Sequence, residues 1–191
     1  SETLETPDRV DSISPETQLS ELIKKESEKG KQNDIIILDF RFGMTKKEVI
    51  KQMQKLVQTS KIVKRKVSNN RNAFVYELPL PKLGKVDVYF DFYYTNKKLS
   101  KVESFPRLPK GKTIEDLLTG CAEVFETKYG VPDVIFPKKD VNNCANYFWI
   151  DANRQIELYC NPDKVVFVYS NIKVDQKGVL PEKIDVEDLA I

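Results

Sequence analysis

Apolar and polar positions follow two different periods along the chain, and the change from one to the other marks its elements. Residues 45–57 carry apolar side chains at intervals of three and four, as on one face of a helix. Thr45 stands at the N-cap position and Glu48 completes a capping box. Residues 86–94 instead alternate strictly, with apolar side chains on one side, which is typical of a strand. The apolar stripe of the helix consists of Val49, Ile50, Met53, Leu56 and Val57.

The same helix signature recurs later in the chain. Thr113 and Asp116 take the capping positions, and an apolar stripe continues to Tyr129, where Gly130 ends the helix. Each predicted helix precedes three strand-like runs. A further strand is predicted ahead of the first helix, at residues 35–42, and the lysine-rich residues 61–71 are predicted to be a connection. The six runs that follow the helices are 74–78, 86–94, 99–105, 147–150, 156–160 and 165–169.

This order predicts an α+β fold. Short connections between strands favour an antiparallel sheet, because a parallel sheet needs a long crossover between neighbouring strands. We therefore expect tandem helix-plus-three-strand repeats forming one antiparallel sheet, with the helices packed on one face. The repeats occupy residues 35–172, in halves of about 35–108 and 109–172. Residues 1–34 are predicted to be a tether with one marginal helix that starts near Pro15, and residues 173–191 a polar tail.

The amino-acid composition limits the kinds of catalytic and metal sites that the chain can form. The chain has no histidine, which is the commonest general base and metal ligand, and its three cysteines form no CxxC motif. We therefore predict no catalytic residue, no metal and no cofactor. A net charge of +2 and the absence of RNA-reading aromatic motifs give no reason to expect a specific nucleic-acid partner. No apolar run reaches the length of about 20 residues that a membrane helix needs.

Asp87 and Asp91 lie two alternations apart on the same side of the clearest predicted strand. Paired carboxylates can act in acid–base catalysis, and in a cleft between the two halves they would suit a hydrolase. Alternating polar residues are also what the solvated face of an antiparallel sheet carries. We favour the solvated face and keep the hydrolase as the alternative.

A predicted hairpin spans residues 144–160. If its loop is the three residues 151–153, Cys144 lies directly opposite Cys160, within reach of a disulfide. Cys121, on the apolar stripe of the second helix, is then expected to be a buried free thiol. A disulfide is typical of an oxidising compartment, whereas three reduced cysteines would suit a cytoplasmic structural protein.

The same hairpin predicts an aromatic surface. Placing Phe148, Ile150, Ile156 and Leu158 on the core side puts the alternate aromatic residues on the other side, where aromatic residues of the 86–94 strand can join them. Tyrosine and tryptophan are common anchors at protein interfaces. The alternative is that a tail or the other half of the repeat covers this side. The predicted partner-binding residues are Tyr89, Tyr93, Tyr147, Trp149 and Tyr159.

Two sets of residues resemble known proteins. The run 42–49 (FGMTKKEV), followed by strands, resembles the start of BamE/SmpA-type envelope lipoproteins, and the tandem helix–sheet plan resembles the β-lactamase inhibitory protein. The run 128–132 (KYGVP), together with Trp149 and the runs 156–158 and 166–169, is similar to uncharacterised exported proteins of gut bacteria. These resemblances imply an extracytoplasmic protein that binds other macromolecules and carries no cofactor.

We therefore expect a non-enzymatic interaction module of the periplasm or cell envelope that binds another protein or an envelope component through its aromatic sheet face. An anchor ahead of Ser1 would place it at a membrane surface.

Overall fold

A computed structural model describes residues 12–68, 71–140 and 144–184. Within these ranges the chain forms three α-helices, one 3-10 turn and nine strands. The helices are α1 (Pro15–Glu28), α2 (Lys46–Gln58) and α3 (Ile114–Tyr129), and the 3-10 turn is Ile37–Asp39. The strands are β1 (Ile62–Ser68), β2 (Arg71–Leu80), β3 (Gly84–Thr95), β4 (Lys98–Pro106), β5 (Val134–Phe136), β6 (Asn146–Asp151), β7 (Arg154–Asn161), β8 (Lys164–Asn171) and β9 (Pro181–Glu182).

All nine strands belong to one antiparallel sheet. Its order is β1-β2-β3-β4-β8-β7-β6-β5, and β9 pairs with β3 beside this path. Two meanders, β1–β4 and β5–β8, therefore meet where β4 pairs with β8, with Ser104 opposite Phe167. The predicted α+β class with an antiparallel sheet is confirmed.

The helices α2 and α3 begin at the N-cap residues that the sequence predicts, Thr45 and Thr113. The Thr45 hydroxyl accepts a hydrogen bond from the Glu48 amide at the start of α2. At the start of α3, the Thr113 hydroxyl accepts from the Asp116 amide at 3.1 Å, and the Asp116 carboxylate accepts from the Thr113 amide at 3.0 Å. These bonds satisfy amide groups that the first turn of a helix leaves without partners.

The main core lies between the sheet and the helices α2 and α3, so we call this side of the sheet the helix face. Val49 of α2 and Leu117 of α3 are fully buried in it. The Phe125 ring of α3 contacts the ring of Phe167 on β8, with centroids 5.0 Å apart. Gly120 lets α3 approach the end of β2, because a Cβ atom there would lie 3.3 Å from Leu83 Cδ1.

Three local predictions are wrong. Residues 35–42 form no full strand: an isolated bridge joins Ile35 to Arg41 around the 3-10 turn, where Leu38 has a φ of 57°. The lysine-rich run 61–71 is not a mere connection but contains β1, an edge strand, and charged side chains are well tolerated at sheet edges. Four strands, rather than three, follow α2, and five follow α3. An internal symmetry between the two halves stays a prediction.

The segments predicted as tether and tail contact the sheet. Helix α1 begins at Pro15 with Ser14 as its cap, as expected, contributes no buried residue and contacts β5 and β6. After β8, the Gln176 side chain hydrogen-bonds Ser100, and Pro181 pairs with Tyr93 through β9. The outer parts of both predicted segments, residues 1–11 and 185–191, lie outside the described residues.

Candidate functional site

The turn between β6 and β7 decides which side chains reach each face of the sheet. It has two residues, Ala152 and Asn153, so that Asp151 pairs with Arg154 and Trp149 with Ile156. The predicted three-residue loop is therefore wrong, and the register is shifted by one residue. Such a shift exchanges the two faces for one of the paired strands.

Buried hydrogen bonds account for this turn. Asn153 is fully buried, and its side-chain oxygen accepts a hydrogen bond from the Asn33 amide at 2.6 Å. Its side-chain nitrogen donates to Asp34 at 3.1 Å and to Asn171 at 3.3 Å. The Glu26 carboxylate accepts from the Ala152 amide at 3.2 Å. The turn is thus held by partners that lie far away in the sequence.

Trp149 consequently lies on the helix face, and its predicted exposure is wrong. Its side chain is only 4% exposed, and its indole nitrogen donates to the Gly130 carbonyl at 2.9 Å. The indole ring lies 5.6 Å from the Phe125 ring. Tyr147 lies on the same side, half-buried against the core. Neither residue can belong to a surface on the opposite side of the sheet.

Cys144 and Cys160 form a disulfide, with Cα atoms 6.0 Å apart, so the predicted pair is present. The register from which we predicted it is wrong, because the β6–β7 ladder ends before Cys144. Cys121 is a buried free thiol, as predicted, and burial raises its pKa to about 12.

The side of the sheet away from α2 and α3, here called the open face, carries the remaining predicted residues Tyr89, Tyr93 and Tyr159. Tyr93 is buried, with 8% of its surface exposed, so its predicted exposure is wrong, whereas Tyr89 and Tyr159 are half-buried. Across four strands the register forms a row in which Asp91 lies opposite Glu103, Glu103 opposite Val168, and Val168 opposite Glu157. Three carboxylates therefore share one row between the tyrosines. The open face consists of Tyr89, Asp91 and Tyr93 on β3, Lys101, Glu103 and Phe105 on β4, Val166 and Val168 on β8, and Glu157 and Tyr159 on β7.

The N-terminal helix contacts the strands at one end of this side. Phe148 and Ile150, which point away from α2 and α3, are buried although they are not part of the main core, and α1 contacts their strand. Tyr89 and Tyr159, farther along the sheet, remain half-buried. The alternative that a neighbouring segment covers the aromatic surface thus holds at the β5–β6 end.

A cation partly shields the centre of the open face. The Lys101 ammonium lies 3.9 Å from the centroid of the Tyr93 ring and 3.4 Å from the Glu103 carboxylate. Burial, followed by a hydrogen bond to Glu103, raises the pKa of Tyr93 above its ordinary value. Tyr93 is therefore a neutral phenol at physiological pH, packed between a cation and a carboxylate.

The other two carboxylates of the row, Asp91 and Glu157, have no cation within ion-pair distance among the described residues. Burial and then the neighbouring Glu103 raise the pKa of Asp91, against the weaker opposing effects of Lys183 and Lys164. Burial alone raises the pKa of Glu157. Among the described residues, neither side chain has a hydrogen-bond or ion-pair partner. Carboxylates that are partly desolvated and unpaired are typical of binding or catalytic surfaces.

Asp87 and Asp91, the pair considered for a hydrolase, differ in their surroundings, because only Asp87 has an ion-pair partner among the described residues. Asp87 accepts from the Arg65 guanidinium at 3.3 Å, which also pairs with Glu77 at 3.3 Å. Both aspartates lie on the open side of β3 rather than in a cleft between the halves. The described parts of the chain contain no group of three or more potential metal ligands.

Comparisons with known proteins add little to this geometry. No family model and no curated protein matches the chain. A solved structure of a DUF4309 family protein, YjgB from Bacillus subtilis subsp. subtilis str. 168, is similar over 83% of this chain and 97% of its own, with 14% identity and a TM-score of 0.35. Among the described residues, no helix has both the length and the apolar character needed to cross a membrane.

The burial of Trp149 leads to a test of the corrected register. We expect Trp149→Ala to lower the free energy of unfolding by about 3–5 kcal/mol, because it truncates a buried aromatic side chain that contacts α3. Trp149→Phe, which keeps a ring, should lose less. Urea unfolding measures both, and a loss below about 1 kcal/mol for the alanine variant would contradict a buried Trp149.

The unpaired Glu157 leads to a test of stability against pH. Because its pKa is raised in the fold, ionisation of Glu157 costs stability above the folded pKa, and this cost disappears as the pH falls below the ordinary value of 4.5. Glu157→Gln should therefore be more stable than the wild type near pH 7, with a difference that vanishes near pH 4. Urea unfolding at both pH values measures this, and Glu123→Gln on the exposed side of α3 is the matched control. A variant less stable than wild type near pH 7 would contradict it.

Proposed function

We propose that this protein is a non-enzymatic interaction module whose open face binds a positively charged segment of another protein. The observation that carries the proposal is the pair of half-buried carboxylates, Asp91 and Glu157, that lack a cation partner and lie between tyrosines. A lysine or arginine from a partner would supply the missing charge, and the tyrosine rings would pack against its aliphatic stem.

Energetics support this choice of partner. In the free protein each desolvated carboxylate is costly, and that cost falls when an opposite charge approaches in a poorly hydrated environment. Tyr89 and Tyr159 add large, rigid, amphipathic contact area, which protein interfaces use frequently. The partner should therefore present basic and aromatic or aliphatic side chains together.

We further propose that the protein acts outside the cytoplasm, in the periplasm or cell envelope. The disulfide between Cys144 and Cys160 supports this compartment, since such bonds persist where the surroundings are oxidising. The resemblance to envelope lipoproteins and exported proteins points the same way.

Selection from a displayed library of random peptides tests the function. We expect the wild-type protein to enrich peptides that are rich in lysine, arginine and aromatic residues. A selected peptide should bind about tenfold more weakly to Asp91→Asn and to Glu157→Gln, the ratio that corresponds to about 1.4 kcal/mol for a lost charge-assisted hydrogen bond.

Glu123→Gln, which removes one carboxylate from the exposed side of α3, is the matched control and should bind like the wild type. Enrichment of acidic or uncharged peptides, or an equal loss of affinity in the control, would contradict the proposal. Circular dichroism of each variant separates a lost contact from a lost fold.

A further inference from the structure

A separate cavity lies on the helix face, between the 3-10 turn and α3. It has a volume of about 150 Å³. Phe125 of α3 and Phe167 of β8 line it, together with Leu78 of β2. Apolar cavities of about this size can hold a single aromatic ring. The cavity lies on the opposite side of the sheet from the open face, so it is independent of the function proposed above.

The mouth of the cavity lies at the protein surface. Leu38 and Val124 are only half-buried and Lys128 is exposed, although all three line the cavity. Leu38 adopts a left-handed conformation, with a φ of 57°, and its carbonyl accepts a hydrogen bond from the Gln52 side chain at 2.9 Å. Residues other than glycine in this conformation carry a strain that is concentrated at functional sites. A strained turn thus forms one side of the mouth.

Polar groups in the cavity suit a ligand with an acidic oxygen. The Tyr169 hydroxyl lies 2.6 Å from the Tyr129 hydroxyl, and whichever of the two accepts keeps a proton of its own to donate elsewhere. Burial raises the pKa of Tyr169, so this phenol stays protonated. Cys121, which also lines the cavity, stays protonated for the same reason.

Lys128 is the charged side chain among the residues that line the cavity. Behind this lining, the Arg154 guanidinium lies 5.1 Å from the Tyr129 ring, pairs with Asp151 at 3.7 Å and favours the ionised form of Tyr169 by lowering its pKa. No carboxylate is among the lining residues. Asp39, which follows Leu38, is exposed and does not line the cavity.

We infer that this cavity binds a single-ring aromatic carboxylic acid, with the ring against the side chains of Phe125 and Phe167 and the carboxylate toward Lys128. A ring without a charged group would leave the Lys128 ammonium without a ligand partner, and a cationic ring would be repelled by it. The anionic ring satisfies both the apolar interior and the basic mouth.

Titration with benzoate tests the inference. Trp149 is the only tryptophan in the chain, and its ring is 5.6 Å from Phe125, so its fluorescence reports on the cavity. We expect benzoate to change this fluorescence saturably and to raise the thermal midpoint. Benzylamine, which has a similar ring and the opposite charge, should bind at least about tenfold more weakly, as for a charged group placed next to like charges.

Two variants make the test specific. Lys128→Gln should weaken benzoate binding about two- to fivefold, the range expected for an exposed ion pair. Val124→Phe should fill the cavity and abolish binding, whereas Val131→Phe, at a side chain that is 79% exposed outside the cavity, should leave binding unchanged.

The inference is overturned if benzoate produces no saturable change, or if Val124→Phe binds benzoate as well as the wild type does. Equal binding of benzoate and benzylamine would overturn the assignment to an acid. The circular dichroism spectrum and thermal midpoint of each variant without ligand show that its fold is retained before binding is compared.

Discussion

The buried side chain of Asn153 connects three parts of the chain that are far apart in sequence. Its amide group hydrogen-bonds the segment after α1 through Asn33 and Asp34, and the end of β8 through Asn171. A buried amide is costly unless its donors and acceptors are paired, so these partners hold Asn153 in one place in the turn. The two-residue turn then determines the β6–β7 register, and the register determines which side chains each face of the sheet receives.

The two faces of the sheet differ in whether their buried groups have packing or hydrogen-bonding partners. On the helix face, the Phe125 ring of α3 packs against the rings of Phe167 and Trp149. The open face keeps Asp91 and Glu157 partly desolvated with no cation partner among the described residues. A sheet selected for stability alone would replace or pair these carboxylates, since each costs free energy as it stands. Their presence between tyrosines is the physical reason to regard the open face as a binding surface.

Much of the architecture can be predicted from the sequence, because helix caps and strand alternation depend on residues that are close together in the chain. The capping residues Thr45 and Thr113 lie within three residues of the amides that they satisfy, and the strict alternation of residues 86–94 is a property of that strand alone. Helix starts, helix lengths and the antiparallel class were therefore predictable. The edge strand β1 was not recognised in residues 61–71, because a lysine-rich sequence is typical both of a loop and of a charged edge strand.

The orientation of β6 was not predictable in this way. Phe148 and Ile150 on one side and Tyr147 and Trp149 on the other are all large and largely apolar, so the binary pattern does not select a face. Hydrogen bonds to distant residues select the face. Asn153 bonds to Asn33, and Ala152 bonds to Glu26, and each pair is more than one hundred positions apart in the sequence. The cysteine pair was found because a disulfide tolerates the change in register, whereas a surface defined by alternate residues does not.

The composition of both faces therefore depends on the β6–β7 register, which can be measured by nuclear Overhauser contacts between α-protons across the hairpin. Directly opposite residues at non-hydrogen-bonded positions of an antiparallel pair approach most closely. The structure predicts such a contact for Phe148 with Glu157, because the Phe148 carbonyl accepts its hydrogen bond from the Asp133 amide and therefore points away from β7. Contacts of Phe148 with Ile156 and of Ile150 with Arg154 would contradict it, and would return Trp149 to the open face.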